Sequence, residues 1–242
     1  MIFSKIYFYA LIPVFTILAG GVAGMLKKPG PVFRSVVLHF AAGVVFSVVA
    51  VELLPDIISN HQPIEVALGF SLGTITMLAV KFFAEKMERP SVSGTIKAAL
   101  PYGLLMALGI DLLIDGLLLG VGFAAGNTEG ILLAVALGLE TFSLGLAVVV
   151  ACSDARLSRQ LNIVILLCLG LVFFAGAVMG ITMLRGLSQE WLELVLSFGL
   201  AALLFLVTEE LLTEAHEVKE TVWHTSAFFV GFLLFLILGM IV

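Results

Sequence analysis

Residues 107–120 read ALGIDLLIDGLLLG. Asp111 and Asp115 stand four residues apart inside an apolar run long enough to cross a membrane, so a helix here projects both carboxylates from one face. That is an expensive place for charge. An ionisable side chain near the bilayer centre costs roughly 3 kcal/mol on insertion scales, and residues retained at that cost are by default functional. One such Asp is as readily explained by a hydrogen bond to a neighbouring helix; two on one face favour function.

The rest of the chain has the same character. Of its 242 residues 61% are hydrophobic and 12% charged, and the mean hydropathy is +1.20. Soluble domains use about 45–50% apolar and about 25% charged residues, so the composition excludes a soluble enzyme or binding module and indicates a polytopic membrane protein. Nothing in it calls for a nucleic-acid partner. Cys152 and Cys168 fall in apolar segments without CxxC spacing, which implies neither a disulfide framework nor a thiolate metal site.

Eight apolar runs of about 20 residues are each long enough to span the bilayer. They cover 6–26, 32–55, 64–84, 98–125, 130–152, 161–184, 191–212 and 223–242. The first exceeds the h-region of a secretory signal and ends in Lys27 and Lys28, so it is read as a retained span. The spans leave no room for a further soluble domain, and 1–242 is taken as one transmembrane domain. Connections are short, the longest running from Glu85 to Lys97.

Positive residues are retained on the cytoplasmic side. Lys27, Lys28, Arg34, Lys81, Lys86, Arg89, Lys97, Arg156, Arg159 and Lys219 flank odd-numbered loops, whereas only Lys5 and Arg185 lie on the other side. The expected location is therefore the cell membrane, with multiple passes and both termini extracytoplasmic.

Two internal matches sharpen the topology. ALGID, ending at Asp111, matches ALGLE, ending at Glu140, and each acid is followed five residues later by a glycine, Gly116 and Gly145. FAAGVVFSVVAVELLPD from Phe40 matches FGLAALLFLVTEELLTE from Phe198, with twelve residues from each Phe to Glu52 or Glu210. Each match joins an even-numbered span to an odd-numbered one, so the partners run antiparallel, as in the inverted repeats of transporters. Asp111 and Glu140 then sit at similar depth, Glu52 near the outer side and Glu210 near the inner.

Three midplane carboxylates, Asp111, Asp115 and Glu140, cannot all be charged and unpaired, since each buried ion costs several kcal/mol. Spans four and five carry no Lys or Arg in their apolar cores, so the missing positive charge comes from protons or a bound cation. Carboxylates are hard oxygen ligands suited to divalent cations, and Mn, Fe, Co, Zn or Cd is the expected cargo. Thr141, Ser143 and Thr208 offer further oxygens, although hydroxyls in apolar helices more often bond the i−4 carbonyl. His39 is read as a hydrogen-bonded packing residue. Glu52 and Glu210 are candidate gate or relay residues, and Glu214 and His216 candidates for collecting metal at the cytoplasmic mouth.

At these residues the chain resembles the ZIP (Zrt/Irt-like) family of divalent metal transporters. Its fourth-span motif HNxPEGLA aligns with DLLIDGLL from Asp111, its fifth-span motif HExPEGLA with ETFSLGLA from Glu140, and its FAAGxxL…HLLP pattern with span two, Glu52 standing at the His. The resemblance implies eight spans in a 3+2+3 arrangement, an inverted repeat and a metal site between spans four and five. This sequence departs from the motifs in having Ile114 and Ser143 at the prolines, Leu144 at the second fifth-span ligand, Leu112 at the Asn and Phe173 at the acid of span six. A second adjacent metal site is thus not expected, and zinc is not transferred as substrate.

Two rival readings arise from the same residues. The acids would serve equally as a proton or sodium site driving another solute, and loss of so many ligands would fit a ZIP-like protein that no longer transports. An intramembrane aspartyl protease needs its two acids on separate helices about 3 Å apart, which an Asp pair on one helix does not provide, so no enzyme is expected. Gly20, Gly21 and Gly24 allow close helix packing within the chain or in a homodimer.

Overall fold

The computed structural model describes residues 7–27, 30–88, 102–154, 157–183, 187–219 and 221–241. The 89–97 part of the long connection, and Lys5, Lys28, Arg89, Lys97, Arg156 and Arg185 of the charge count, lie outside them. The described residues are almost wholly helical and contain no strand. Among the described residues eight helices are long and apolar enough to cross a membrane. We number them α1 (Leu11–Leu26), α2 (Pro31–Asn60), α3 (Pro63–Glu88), α4 (Tyr102–Ala125), α5 (Asn127–Asp154), α6 (Arg159–Met183), α7 (Glu190–Ala215) and α8 (Val222–Ile241).

Several helices outrun the apolar stretches that announce them. α2 continues through Asp56, Ser59 and Asn60 because its polar end leaves the hydrocarbon while its backbone bonds continue. It stops at His61, which adopts the left-handed conformation at φ 54°. Pro31 and Pro63 stand at helix starts, where the missing N–H has no helical partner to lose.

α1 packs along α5 and α4 along α6; α2 packs along α8 and α3 along α7. α4 and α5 also meet each other, as do α1 and α6, while α2 touches α5 and α7 touches α4. This pattern maps onto itself when α1 is exchanged with α6, α2 with α7, α3 with α8, and α4 with α5. α5 is the most enclosed helix and α3 and α8 the least. The outer faces of α3 and α8 expose Leu68, Ile75, Phe82, Val230, Leu233 and Ile237, a surface suited to lipid rather than water.

The correspondence reaches individual contacts. A Cβ added to Gly116 of α4 would overlap the Phe173 carbonyl of α6, and one on Gly176 of α6 the Leu113 carbonyl of α4. The images of these contacts are present: Gly145 of α5 abuts the Ile17 carbonyl of α1, and Gly20 of α1 the Phe142 carbonyl of α5. Gly73 of α3 meets the Phe198 carbonyl of α7, and Gly231 of α8 the Phe40 carbonyl of α2. Without a hydrophobic drive between helices in lipid, small residues that let backbones approach this closely favour van der Waals packing between them.

Gly116→Val should therefore push α4 off α6 and lower stability by about 1–3 kcal/mol or more, the usual cost of overpacking. A Cβ added to Gly109 of the same helix would meet no neighbouring element within 4 Å, so Gly109→Ala should be neutral or stabilising by up to about 1 kcal/mol. Thermal unfolding of both variants in detergent checks the contrast.

α2 and α7 share one further irregularity. Each is interrupted by a π-helical turn, Val49–Leu53 and Leu206–Leu211, closed by the i→i−5 bonds Leu54 N–H to Val49 O and Leu212 N–H to Val207 O. Positions 49, 52 and 54 correspond to 207, 210 and 212 at the same offset as Phe40 to Phe198. Glu52 and Glu210 each lie inside such a turn, a feature frequent at functional sites.

Candidate functional site

Asp111 and Asp115 lie one turn apart on α4, and Glu140 faces them from α5. One carboxylate oxygen from each of the three falls within 4.8 Å of the others, a spacing that a single cation can bridge. Asp115 and Glu140 are each 2% exposed. Neither Asp115 Oδ2 nor Glu140 Oε2 has a hydrogen-bond partner. Buried polar atoms are nearly always satisfied, so these two bare oxygens, on two members of the cluster, have no explanation in the fold itself. Leu112, on an adjoining face of α4, and Leu119, one turn beyond Asp115 on the same face, are fully buried.

Glu210 is closer to this cluster than its place near the inner end of span seven implies. Its carboxyl lies within hydrogen-bonding reach of Asp111, a pairing that two acids sustain by sharing a proton or a cation. A cavity of about 360 Å³ begins at Asp111, Glu140 and Glu210 and is lined further out by Lys81, Glu209, Glu214 and Glu217. Leu38, Leu108 and Leu144 form its apolar wall. Two cationic side chains are engaged around its mouth: Lys81 Nζ lies 2.7 Å from Glu209 Oε2, and Arg34 pairs with Glu214.

The remaining sequence candidates fall elsewhere. Glu52 lies beside Gly239 of α8, with the Leu132 side chain of α5 at the same spot and Glu129 and Asp56 near it. Glu214 lines the main cavity, whereas His216 lines a separate one with His39. The rings of His39 and His216 are 5.2 Å apart, and His224 stacks on His39 at 5.8 Å. His39 Nδ1 donates to the Ser35 carbonyl at 2.8 Å, the packing role expected of it. Thr208 Oγ1 bonds the Leu204 carbonyl at 2.9 Å. Thr141 Oγ1 contacts Thr16 Oγ1 at 2.8 Å and bonds the Gly138 carbonyl at 3.1 Å. These hydroxyls are used within and between helices.

One buried acid escapes the sequence reading. Glu193 is fully buried near the start of α7, with Oε2 accepting from Asn60 Nδ2 at 2.8 Å and Oε1 unpartnered. It stands two residues inside the apolar run, where charge ordinarily reaches solvent. The signal for it was the apolar sequence on both sides, WLELVLSF.

What the cluster can do chemically is bind a hard cation. Its members among the described residues are carboxylates, without thiolate or imidazole, and Asp111 and Glu140 border a cavity that four further acids line. No family model matches the chain, and no curated protein matches it.

Proposed function

We propose that this protein carries a divalent metal cation across the membrane toward the cytoplasm, using Asp111, Asp115 and Glu140 as its midplane site. The observation that carries the reading is the convergence of three carboxylate oxygens within 4.8 Å among eight membrane-length helices. A ZIP-like 3+2+3 arrangement with an inverted repeat is part of the proposal, supported by the self-mapping pairing of helices and by the matched glycine contacts. The positive-inside bias puts Lys81, Arg34 and Lys219 on the cytoplasmic face, which makes the cavity through Glu210 the cytoplasmic route. The family's histidine ligands are replaced here by carboxylates, which favours harder cargo such as Mn or Fe(II) over a thiophilic ion.

Purified protein in liposomes should accelerate entry of at least one of Mn, Fe, Co, Zn and Cd above protein-free vesicles. Absence of flux for all five, with proton- or sodium-dependent uptake of an organic solute instead, would replace this reading with a cation-coupled transporter. Absence of both, in protein that still melts cooperatively, would indicate a non-transporting member of the same architecture.

A further inference from the structure

The matched halves differ at two places that bear on the site. At the offsets that align the glycine contacts, Glu52 corresponds to Glu210 and Glu140 to Asp111. The contact of Glu210 with Asp111 therefore has an image, Glu52 with Glu140. The first contact is present. In place of the second, Glu52 sits beside Gly239 and Leu132. Leu132 is eight residues before Glu140, about 12 Å along an α-helix. The glycine seats of both halves are intact, so the difference does not come from loss of the correspondence.

A second asymmetry points the same way. The residue of α5 corresponding to Asp115 is Leu144, which lines the cavity on the Glu210 side. Asp115 lies one turn from Asp111 toward the Ala125 end of α4, the end at which Glu129 and Glu52 are found. Its unpartnered Oδ2 and that of Glu140, Oε2, are left without protein donors in the conformation described. The third carboxylate thus stands on the Glu52 side of the site, where the matching acid is withdrawn.

We propose that Glu52 is a cation ligand in the conformation opposite to the one described, completing a site with Glu140 and Asp115 as Glu210 approaches Asp111 here. The ligand is a divalent cation of the hard, oxygen-preferring kind, which takes six or more oxygens and accepts carboxylates mono- or bidentately. Each face of the membrane then has its own acid, held in a π-helical turn, that meets the shared pair Asp111 and Glu140 from that side. This inference rests on the transporter reading above, but its geometry is testable without transport.

Two cysteine pairs in a Cys152→Ser, Cys168→Ser background supply the test. Asp111→Cys with Glu210→Cys should form an intramolecular disulfide with copper phenanthroline in liposomes, and Glu52→Cys with Glu140→Cys should do the same. Linking of the first pair alone would overturn the role of Glu52 and leave the central site standing; linking of neither would overturn it as well. Because these variants replace ligands and can fail to fold, single Gln variants give a second reading with Mn2+ in oriented vesicles. Glu52→Gln should raise KM at least tenfold for Mn2+ presented opposite the Lys81 face and change it less than twofold from that face, and Glu210→Gln the reverse. Equal effects from both faces, or none, would contradict the proposal. Wild-type protein without Mn2+ flux would count against the transporter reading itself, while the disulfides would still decide the geometry.

Discussion

Asp111→Asn combined with Asp115→Asn should bring divalent-cation flux down to that of protein-free vesicles. The pair contributes two of the three oxygens that converge within 4.8 Å, and an ion taken from water into this site must recover several kcal/mol of desolvation from charged ligands. Asn keeps the shape and one carbonyl oxygen but not the charge. With a factor of ten for each 1.4 kcal/mol, losing two charged ligands amounts to at least about a hundredfold in affinity. The fold should survive, because replacing a buried charge by a neutral isostere removes a desolvation cost. Glycine seats such as Gly116 against Phe173 do not involve these side chains. A double variant that transports like wild type would remove the central site from the account.

Leu144→Lys should abolish metal binding without removing any ligand. Leu144 is one turn from Glu140 on the same face of α5 and lines the cavity with Asp111 and Glu210. A lysine there carries its ammonium into a cluster of acids and supplies internally the positive charge that a metal otherwise brings. Binding should weaken by at least about a hundredfold on the same arithmetic. The melting temperature in metal-free buffer should be unchanged or higher. Leu144→Met, which conserves volume, should bind as wild type. Equal affinity in the Lys variant would mean that the cluster does not depend on imported positive charge.

Much of this was legible in the sequence because the membrane makes the code simple. Apolar runs near 20 residues gave the eight helices, and acids in the middle of such runs stood out against their cost. The matches of ALGID with ALGLE and of Phe40 with Phe198 also have structural counterparts, since Gly116 with Gly145 and Gly73 with Gly231 occupy corresponding seats. The departures of Ile114 and Ser143 from proline left α4 and α5 as continuous helices.

What hydropathy did not carry is rotation. A π turn adds one residue without adding a turn and rotates the downstream residues by about 100° relative to an ideal helix. The direction of Glu210 therefore could not be read from 3.6-residue spacing, and its approach to Asp111 emerged only with the backbone. Polar extensions such as Ile57–Asn60 were missed for a related reason: apolar runs end where lipid ends, whereas helices end where hydrogen bonding does. The buried Glu193 depends on Asn60, a partner on a different helix 133 positions earlier, which no local window contains.

Equilibrium titration of the purified protein with Mn2+, wild type beside Asp115→Asn, addresses the central claim directly. A midplane carboxylate site predicts saturable binding of about one ion per chain to wild type, with affinity reduced at least tenfold in the variant whose near-buried acid has been neutralised. Absence of saturable binding to wild type, or equal affinity in the two proteins, would contradict it.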